Sequence, residues 1–176
     1  MNKDNYCIIM AGGIGVRFWP LSKTETPKQF IDILGDGQTL MQKTYSRFLK
    51  ICPRENIFIV TNSQYENLVK KQIPEIDDEQ IVLEPARRNT APCMAYANYK
   101  IKAKNPDAVV VVAPSDHIIL NETVFIEIIK KGLETVAEND WLLTIGIRPS
   151  FPHTGYGYIQ FRKRHAGESY LPEKAG

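Results

Sequence analysis

Five short apolar runs alternate along the chain with longer segments whose apolar residues have helical spacing. The apolar runs favour β-strands, and they are YCIIM (6–10), IFIVT (57–61), IVLE (81–84), AVVVVAP (108–114) and LLTIGI (142–147). The segments with helical spacing are 39–51, 64–73, 91–104 and 122–138. Strands that alternate with helices in this way predict an α/β fold with a doubly wound, mainly parallel sheet.

Several details of this pattern predict how the elements pack. The four valines at 109–112 show no polar alternation, so their strand is expected to be buried on both faces. Asn121 and Ser63 stand where their side chains can cap the helices that follow them. In the last helical segment the apolar residues near one face are Val124, Ile128, Leu133 and Val136, with Ile129 at its edge.

Composition excludes several classes of partner. The 176 residues carry a net charge of +2, and the longest basic run is RKR at 162–164, so nucleic-acid binding is not expected. No apolar run approaches the roughly 18 residues that a membrane span requires. Cys7, Cys52 and Cys93 are far apart and form no C-x-x-C pair, which favours reduced thiols. The sequence thus predicts a soluble cytoplasmic protein without a nucleic-acid or membrane partner.

Ligands of doubly wound sheets bind at the carboxyl ends of the strands. The segments that follow the five predicted strands are AGGIGVR, TNSQ, EPARRNTAP, PSDH and IRPSFPHTGYGY. Because these segments contain nearly every uncommon polar cluster of the chain, one edge of one sheet is predicted to carry the site.

The first of these segments opens the stretch AGGIGVRFWPLSKTETPKQF, which fits neither a helix nor a strand. Loops of this length inside a compact domain are uncommon and are often functional. Gly12, Gly13 and Gly15 leave room for backbone N–H groups to approach an anion, although a tight turn would explain the glycines alone. The loop also supplies Arg17, with a planar fork for phosphate, and Lys28, a mobile point charge. Together they indicate a site for the phosphate chain of a nucleotide.

Two further segments place carboxylates at strand ends. Asp116 follows the strand at 108–114 and suits Mg²⁺, which takes one or two protein carboxylates together with water and phosphate oxygens. A turn or helix cap is the alternative role for Asp116, and the adjacent His117 is interpreted as structural. Glu84 ends its strand and could accept hydrogen bonds from N1–H and N2–H₂ of guanine, a donor pair that adenine lacks.

The EPARRNTAP segment adds cationic side chains and a helix start. Arg87 and Arg88 extend the positive charge, while Asn89 or Thr90 is a candidate cap for the helix that begins at Ala91. A helix start also favours anions, because its first N–H groups are free.

The HTGYGYI segment (153–159) has the spacing of a strand. Gly155 and Gly157 alternate there with Tyr156 and Tyr158. Glycine in a strand marks a bulge or a close approach by a ligand. This surface would suit a sugar ring, and an edge hairpin with a bulge is the alternative.

The motifs AGGIGVRFWPLSKTETPKQF, EPARRNTAP, PSDH and GYGYI resemble, in this order, those of the sugar-phosphate nucleotidyltransferase family, and within it the bacterial mannose-1-phosphate guanylyltransferases. The resemblance spans residues 6 to about 161. It implies a Rossmann-like nucleotide-binding domain, the nucleotide-diphospho-sugar transferase fold, with helices on both faces of its sheet. The signature loop departs from the family's usual residues at Val16, where threonine is usual, and at Phe18, where leucine is commoner.

The resemblance also implies a role for each matching residue. Catalysis would rest on Arg17 and Lys28, which would hold the phosphates of GTP, and Asp116 would bind Mg²⁺. The residues implied in nucleotide binding are Ala11, Gly12, Gly13, Gly15, Glu84, Arg88, Asn89, Thr90 and Ser115. Those implied in sugar binding are Gly155 and Tyr156.

The implied reaction transfers GMP from GTP to α-D-mannose 1-phosphate and gives GDP-mannose and pyrophosphate. Members of the family continue well beyond this length, so residues 1–161 are expected to form an incomplete nucleotidyltransferase domain, truncated at its C-terminal side, and residues 162–176 a tail. Poor turnover is expected of such a chain, and a homo-oligomer is compatible with the sequence. The alternatives are a nucleotidyltransferase for another nucleoside triphosphate and sugar 1-phosphate, or a non-catalytic nucleotide-binding module.

Overall fold

The structure is a computed structural model that describes residues 2–13, 20–84, 90–147, 149–155, 157–159, 161–162 and 171–172. The chain divides into two compact units, Met1–Trp141 and Leu142–Gly176, and each is described by itself. The strands are β1 (Asn5–Met10), β2 (Ile57–Thr61), β3 (Ile81–Leu83), β4 (Val109–Pro114), β5 (Phe161–Arg162) and β6 (Leu171–Pro172). The α-helices are α1 (Leu40–Phe48), α2 (Glu66–Gln72), α3 (Thr90–Lys104) and α4 (Glu122–Ala137).

The first unit contains a four-stranded parallel sheet in the order β3-β2-β1-β4. Four of the five predicted strands and all four predicted helices are therefore confirmed, as is the doubly wound α/β class. The sheet reverses its winding direction between β1 and β4, which is the topological switch point where such sheets bind ligands. In the second unit, β5 and β6 form an antiparallel pair.

The predicted strand at 142–147 is wrong, because these residues have no regular secondary structure. Their apolar composition suits a strand, but a strand also needs a neighbour that accepts and donates backbone hydrogen bonds. No backbone hydrogen bond of this kind joins 142–147 to another described residue. Side-chain pattern alone cannot supply that partner.

Helices cover both faces of the sheet, as the resemblance implies. One face buries Cys7 and Ile9 of β1 with residues of α1, α2 and α4, which include Met41, Tyr45, Phe48, Val69, Ile129 and Leu133. The other face buries Tyr6 and Ile8 of β1 against α3, through Cys93, Ala97 and Ile101. Because β1 and β2 are buried on both faces, their apolar runs show no alternation.

The valines of β4 are less buried than predicted. They pack against both apolar clusters, Val109 and Val111 on one face and Val110 and Val112 on the other, but all four are only partly buried. The reason is that β4 lies at the edge of the four-stranded sheet, with β1 as its neighbour.

The buried face of α4 also differs from the predicted one. Ile129 and Leu133 are its buried residues, whereas Val124 and Ile128 are about half exposed. Phe125 packs against the core together with Ile129 and Leu133. Two apolar stripes run along this helix, and contact with the rest of the first unit selects the one centred on Ile129.

The helix starts confirm one predicted cap and correct two others. The Asn121 side chain accepts a hydrogen bond from the N–H of Val124 at the start of α4, as predicted. Ser63 does not cap α2, since it lies in a 3₁₀ turn before that helix. Thr90 is the first residue of α3 and thus lies inside the helix that it was expected to cap.

The three cysteines are free and buried. Among the described residues, no helix is both long enough and apolar enough to cross a membrane.

Candidate active site at the carboxyl edge of the sheet

The carboxyl ends of β1 to β4 meet at one edge of the sheet, called here the carboxyl edge. The backbone pairing continues there beyond the strand β1, where the N–H of Ala11 donates to Val60 O at 2.8 Å, and the N–H of Ser115 donates to Met10 O at 3.1 Å. Extending the parallel register to the next position aligns four residues, which we call the edge row: Glu84, Asn62, Gly12 and Asp116. Three strand spacings separate its ends, about 14 Å, which is comparable with the length of a nucleotide.

Three members of the edge row, Glu84, Gly12 and Asp116, were predicted to be site residues from the sequence. The structure therefore places these candidates side by side, although they lie far apart in the sequence.

The glycine turn after β1 is held by side chains from other segments. The Nε2 of Gln29 donates to Ala11 O at 3.0 Å and to Gly13 O at 2.9 Å, and the hydroxyl of Thr61 donates to Ala11 O at 3.1 Å. Within the described part of the chain, the N–H groups of Gly12 and Gly13 donate to no protein acceptor. The turn thus has the carbonyl groups of Ala11 and Gly13 occupied, while the N–H groups of Gly12 and Gly13 meet no acceptor among the described residues.

Glu84 approaches this turn closely. A Cβ atom at position 12 would stand 2.9 Å from Glu84 Oε2, so the glycine at this position makes room for the carboxylate. The N–H of Glu84 donates to Thr61 O at 2.8 Å, which fixes the residue at the end of β3. On its other side lies the thiol of Cys93, whose pKa is raised to about 12 by burial, by the charge of Glu84 and by a hydrogen bond to it.

Lys28 and Asp116 form an ion pair across the carboxyl edge. Lys28 Nζ lies 2.6 Å from Asp116 Oδ2, and each side chain is about a quarter exposed, at 24% and 26%. Lys28 begins a 3₁₀ turn, Lys28–Phe30, in which Gln29 and Phe30 are buried. This turn directs the cation of the long loop to the end of β4, next to the switch point of the sheet.

The Asp116 carboxylate fits a magnesium ion whose other ligands are water and the phosphate oxygens of a substrate. His117 is exposed, and its Nε2 lies 3.9 Å from Asp116 Oδ1. No group of three or more His, Cys, Asp or Glu side chains that could hold a metal occurs among the described residues. Magnesium commonly binds with one or two carboxylates and with the phosphate oxygens of its substrate, so a single carboxylate suits that mode of binding.

Two of the other predicted nucleotide-binding residues are described by the structure. Ser115 is buried and hydrogen-bonded through its N–H, and Thr90 is an exposed residue at the start of α3. Five candidates lie outside the described residues, and they are Gly15, Arg17, Arg88, Asn89 and Tyr156.

Gly155 belongs to the second unit and has a local reason to be glycine. Its N–H donates to His153 Nδ1 at 3.0 Å, and a Cβ atom there would stand 2.9 Å from His153 Cε1. The described residues of 153–159 form a turn at Thr154 and Gly155 and no strand, so the interpretation of this segment as a strand is wrong. The bond between His153 and Gly155 bends the chain locally. The role of Gly155 in sugar binding stays a prediction.

Two functional candidates of the carboxyl edge were missed from the sequence. Gln29 is buried and bridges the glycine turn. Asn62 is also buried, and neither its Nδ2 nor its Oδ1 has a hydrogen-bond partner among the described residues. A buried polar group without a partner lowers the free energy of unfolding by about 1–3 kcal/mol, so Asn62 is expected to destabilise the fold at this position. Its place in TNSQ, directly after β2, was the available signal.

Comparison with known proteins identifies the family of the chain. A family model described as nucleotidyl transferase matches residues 6–171. The mannose-1-phosphate guanylyltransferase of Escherichia coli (strain K12) is 40% identical over 167 residues, which are 93% of this chain and 34% of that protein. The enzyme of the same name from Salmonella montevideo is 42% identical over 155 residues, 87% of this chain and 32% of that protein. The chain spans about a third of the length of these curated relatives.

A solved structure shares the fold over nearly the whole chain. It is described as a mannose-1-phosphate geranyltransferase from Thermus thermophilus, and it superposes with a TM-score of 0.80 at 29% sequence identity. The match covers 98% of this chain and 51% of that one.

Proposed function

We propose that this chain, which belongs to the nucleotidyl transferase family, binds GTP at the carboxyl edge and is the nucleotide-binding part of a mannose-1-phosphate guanylyltransferase. The reaction transfers GMP from GTP to α-D-mannose 1-phosphate and releases pyrophosphate. The single observation that carries the proposal is the edge row, because it brings together the N–H of Gly12, the acceptor carboxylate of Glu84 beside it and Asp116, which is paired with the cation of Lys28.

The phosphate end of the site lies between β1 and β4. The free N–H groups of Gly12 and Gly13 are suited to phosphate oxygens, as in other glycine-rich turns. Lys28 supplies positive charge beside them, paired with Asp116 while no phosphate competes for it. Arg17, two residues after Gly15 in the same loop, is assigned to the phosphates as well, as the family resemblance implies.

The base of the nucleotide is assigned to Glu84, which follows β3 and whose carboxylate lies beside the glycine turn. An ionised carboxylate only accepts hydrogen bonds. Glu84 therefore complements N1–H and N2–H₂ of guanine and opposes the acceptor N1 of adenine. This match favours GTP over ATP as the nucleotide.

The chemistry needs positioning and charge stabilisation more than a protein nucleophile. A phosphate oxygen of mannose 1-phosphate attacks the α-phosphorus of GTP in line, the bond to the β-phosphate oxygen breaks, and pyrophosphate leaves with the electron pair. Lys28 and Arg17 hold the phosphates and offset the negative charge that develops on them. Asp116 would hold Mg²⁺, which when bound neutralises phosphate charge.

The proposal also includes the cellular compartment in which the protein works. Three free, buried thiols agree with a reducing compartment, which supports a cytoplasmic enzyme.

Calorimetry with GTP and ATP tests the nucleotide site. GTP is expected to bind the 176-residue chain more tightly than ATP. Pyrophosphate release from GTP with mannose 1-phosphate and Mg²⁺ then tests the reaction, with mannose 6-phosphate as the control, and a chain extended to the length of the relatives is expected to release pyrophosphate faster. Equal affinity for GTP and ATP would contradict the proposed base recognition, and no GTP binding at all would remove the proposed function.

A further inference from the structure

We infer that Gln29 is a positioning residue, which aims the N–H of Gly12 at the nucleotide phosphates by holding the carbonyl groups of Ala11 and Gly13. The inference rests on the proposed function, since it concerns how the glycine turn presents its donors to GTP. It assigns a role to a side chain that the sequence analysis did not select.

The hydrogen bonds of Gln29 use both hydrogens of its side-chain nitrogen. Nε2 lies 3.0 Å from Ala11 O and 2.9 Å from Gly13 O, and the residue is only 2% exposed. Ala11 O has a second donor in the hydroxyl of Thr61. Within the described residues Gly13 O has no other donor, so its direction depends on Gln29.

A peptide unit is planar and trans, so a hydrogen bond that holds its C=O group also fixes the direction of its N–H group, which belongs to the next residue. In such a peptide the C=O and N–H bonds point in opposite directions. Because Ala11 O points toward Gln29, the N–H of Gly12 points away from Gln29. That N–H has no acceptor among the described residues, so it is a donor fixed in direction and available to a ligand.

The same 3₁₀ turn also places the cation of the site. Lys28 and Gln29 are adjacent in this turn, and the N–H of Phe30 closes it by donating to Pro27 O at 2.9 Å. Lys28 reaches Asp116 on the carboxyl side of β4, while Gln29 reaches the turn after β1. One turn therefore sets the distance between the ammonium group and the Gly12 donor, and misplacement of either weakens phosphate binding.

Gln80 offers a matched control at the opposite edge of the sheet. It is 3% exposed, and its Nε2 also donates to two backbone carbonyls, Arg54 O at 2.6 Å and Ile57 O at 2.8 Å. These carbonyls lie in the 3₁₀ turn before β2 and at the first residue of β2, one strand length from the carboxyl edge. Replacing Gln80 thus removes the same kind of bridge without touching the nucleotide site.

The experiment compares Gln29→Leu with Gln80→Leu. Both variants lose two hydrogen bonds to carbonyls, and both are expected to unfold at lower denaturant concentration than the unsubstituted chain. Only Gln29→Leu is expected to weaken GTP binding, by about ten-fold, since a charge-assisted hydrogen bond is worth roughly that factor. Guanosine, which lacks phosphates, competes with GTP and reports the base end separately, so the ratio of the guanosine and GTP dissociation constants is expected to fall in Gln29→Leu alone.

A milder variant keeps the test decisive if Gln29→Leu does not fold. Gln29→Asn retains the amide but is one methylene shorter, so it cannot reach both carbonyls, and it is expected to weaken GTP binding in the same direction. If the chain binds GTP and the Gln29 variants bind it as tightly as the Gln80 variant, the inference is overturned and the proposed function stands. If the chain with Gln29 intact fails to bind GTP, both are overturned.

Discussion

Gly12 and Gly13 are neighbours with opposite steric surroundings. A Cβ atom at position 12 would meet Glu84 Oε2 at 2.9 Å, whereas a Cβ atom at position 13 would meet no atom of the described residues within 4 Å. A side chain at the first position would therefore displace the Glu84 carboxylate. The second leaves open space, which a phosphate group would occupy under the proposed function.

Gly13→Ala separates the needs of the fold from those of the ligand. The free energy of unfolding is expected to stay the same or to rise by up to about 1 kcal/mol, because alanine restricts the unfolded chain. GTP affinity is expected to fall by about ten-fold or more, since the methyl group obstructs a charge-assisted hydrogen bond. Denaturant titration and calorimetry measure the two effects. The comparison is Gly12→Ala, which is expected to lose stability through Glu84, and unchanged GTP affinity in Gly13→Ala would place the phosphates elsewhere.

Glu84→Gln tests the assignment of the base. A carboxamide offers one acceptor and two donors, so it should tolerate adenine better than a carboxylate does. The ratio of the ATP and GTP dissociation constants is expected to move toward one, while inorganic pyrophosphate still competes with GTP. Glu79→Gln is the control, because Glu79 is a carboxylate before the start of β3, paired with Lys104. A constant ratio in Glu84→Gln would assign base recognition to other groups.

Some residues of the candidate site could be predicted from the sequence, and others could not. Gly12, Glu84 and Asp116 follow apolar strands, and the rule that ligands bind at carboxyl ends was enough to select them. Gln29 gave no such signal, because its role depends on carbonyl groups that come near it only after β1 and the 3₁₀ turn pack together. Asn62 satisfied the rule, but that its side chain meets no hydrogen-bond partner in the described part of the chain is a property of the fold alone.

At the scale of elements, sequence pattern located segments better than it located their contacts. Four strands and four helices were predicted close to their observed bounds, because buried apolar runs and helical spacing are local properties. The run at 142–147 failed as a strand, since pairing depends on a neighbour. The face of α4 was misassigned because two apolar stripes compete, and the neighbouring elements decide between them.

Helices α1 and α4 are joined by a charged contact at the edge of the apolar core. Arg47 of α1 is buried, and its Nε lies 3.1 Å from Glu122 Oε1 at the start of α4. Lys50 Nζ lies 3.1 Å from Glu122 Oε2, and the Arg47 guanidinium stands 5.6 Å from the ring of Phe125. Burial raises the pKa of Glu122, but Lys50 and Arg47 outweigh it and hold that pKa below its usual value.

Glu122→Gln is expected to lower the free energy of unfolding at pH 7 by about 1 kcal/mol, since Glu122 is partly exposed and solvent screens its pairs. A lowered pKa in the folded state stabilises the protein above the unfolded pKa, near 4.5, and that contribution disappears as the pH falls through the folded value. The gap between the two proteins in urea titrations should therefore narrow as the pH falls below the unfolded pKa and close below the folded one. Glu127→Gln on the exposed side of α4 serves as control, and a gap that persists at low pH would show that the lost stability is not ionic.

At the scale of the whole molecule, burial is concentrated in the first unit. Among the described residues, every buried one lies at or before Leu133. The segment 142–159 is exposed wherever it is described, and its described residues form no backbone–backbone hydrogen bonds with one another. Its recorded contacts are local, such as the Tyr158 hydroxyl, which accepts from the N–H of His153 at 2.7 Å.

Hydrogen exchange read by mass spectrometry is expected to divide the chain in the same way. Peptides from β1 and β2 should exchange slowly, because their amides are paired and buried on both faces. Peptides from 142–159 should exchange fast, because the described amides of this segment are exposed and have no backbone partners. Slow exchange at 142–147 would instead mean that this run is paired as a strand in solution, which the sequence pattern favours.

The burial of Cys7, Cys52 and Cys93 makes the chain a convenient host for a fluorescent reporter. Burial raises the pKa of Cys7 well above its usual value and that of Cys52 to about 12, and the pKa of Cys93 is also about 12. Maleimide dyes react with thiolates, so at neutral pH the native thiols stay unlabelled without being replaced. A single introduced cysteine, for example His117→Cys beside Asp116, would then carry the only dye, and its brightness would follow nucleotide occupancy in real time.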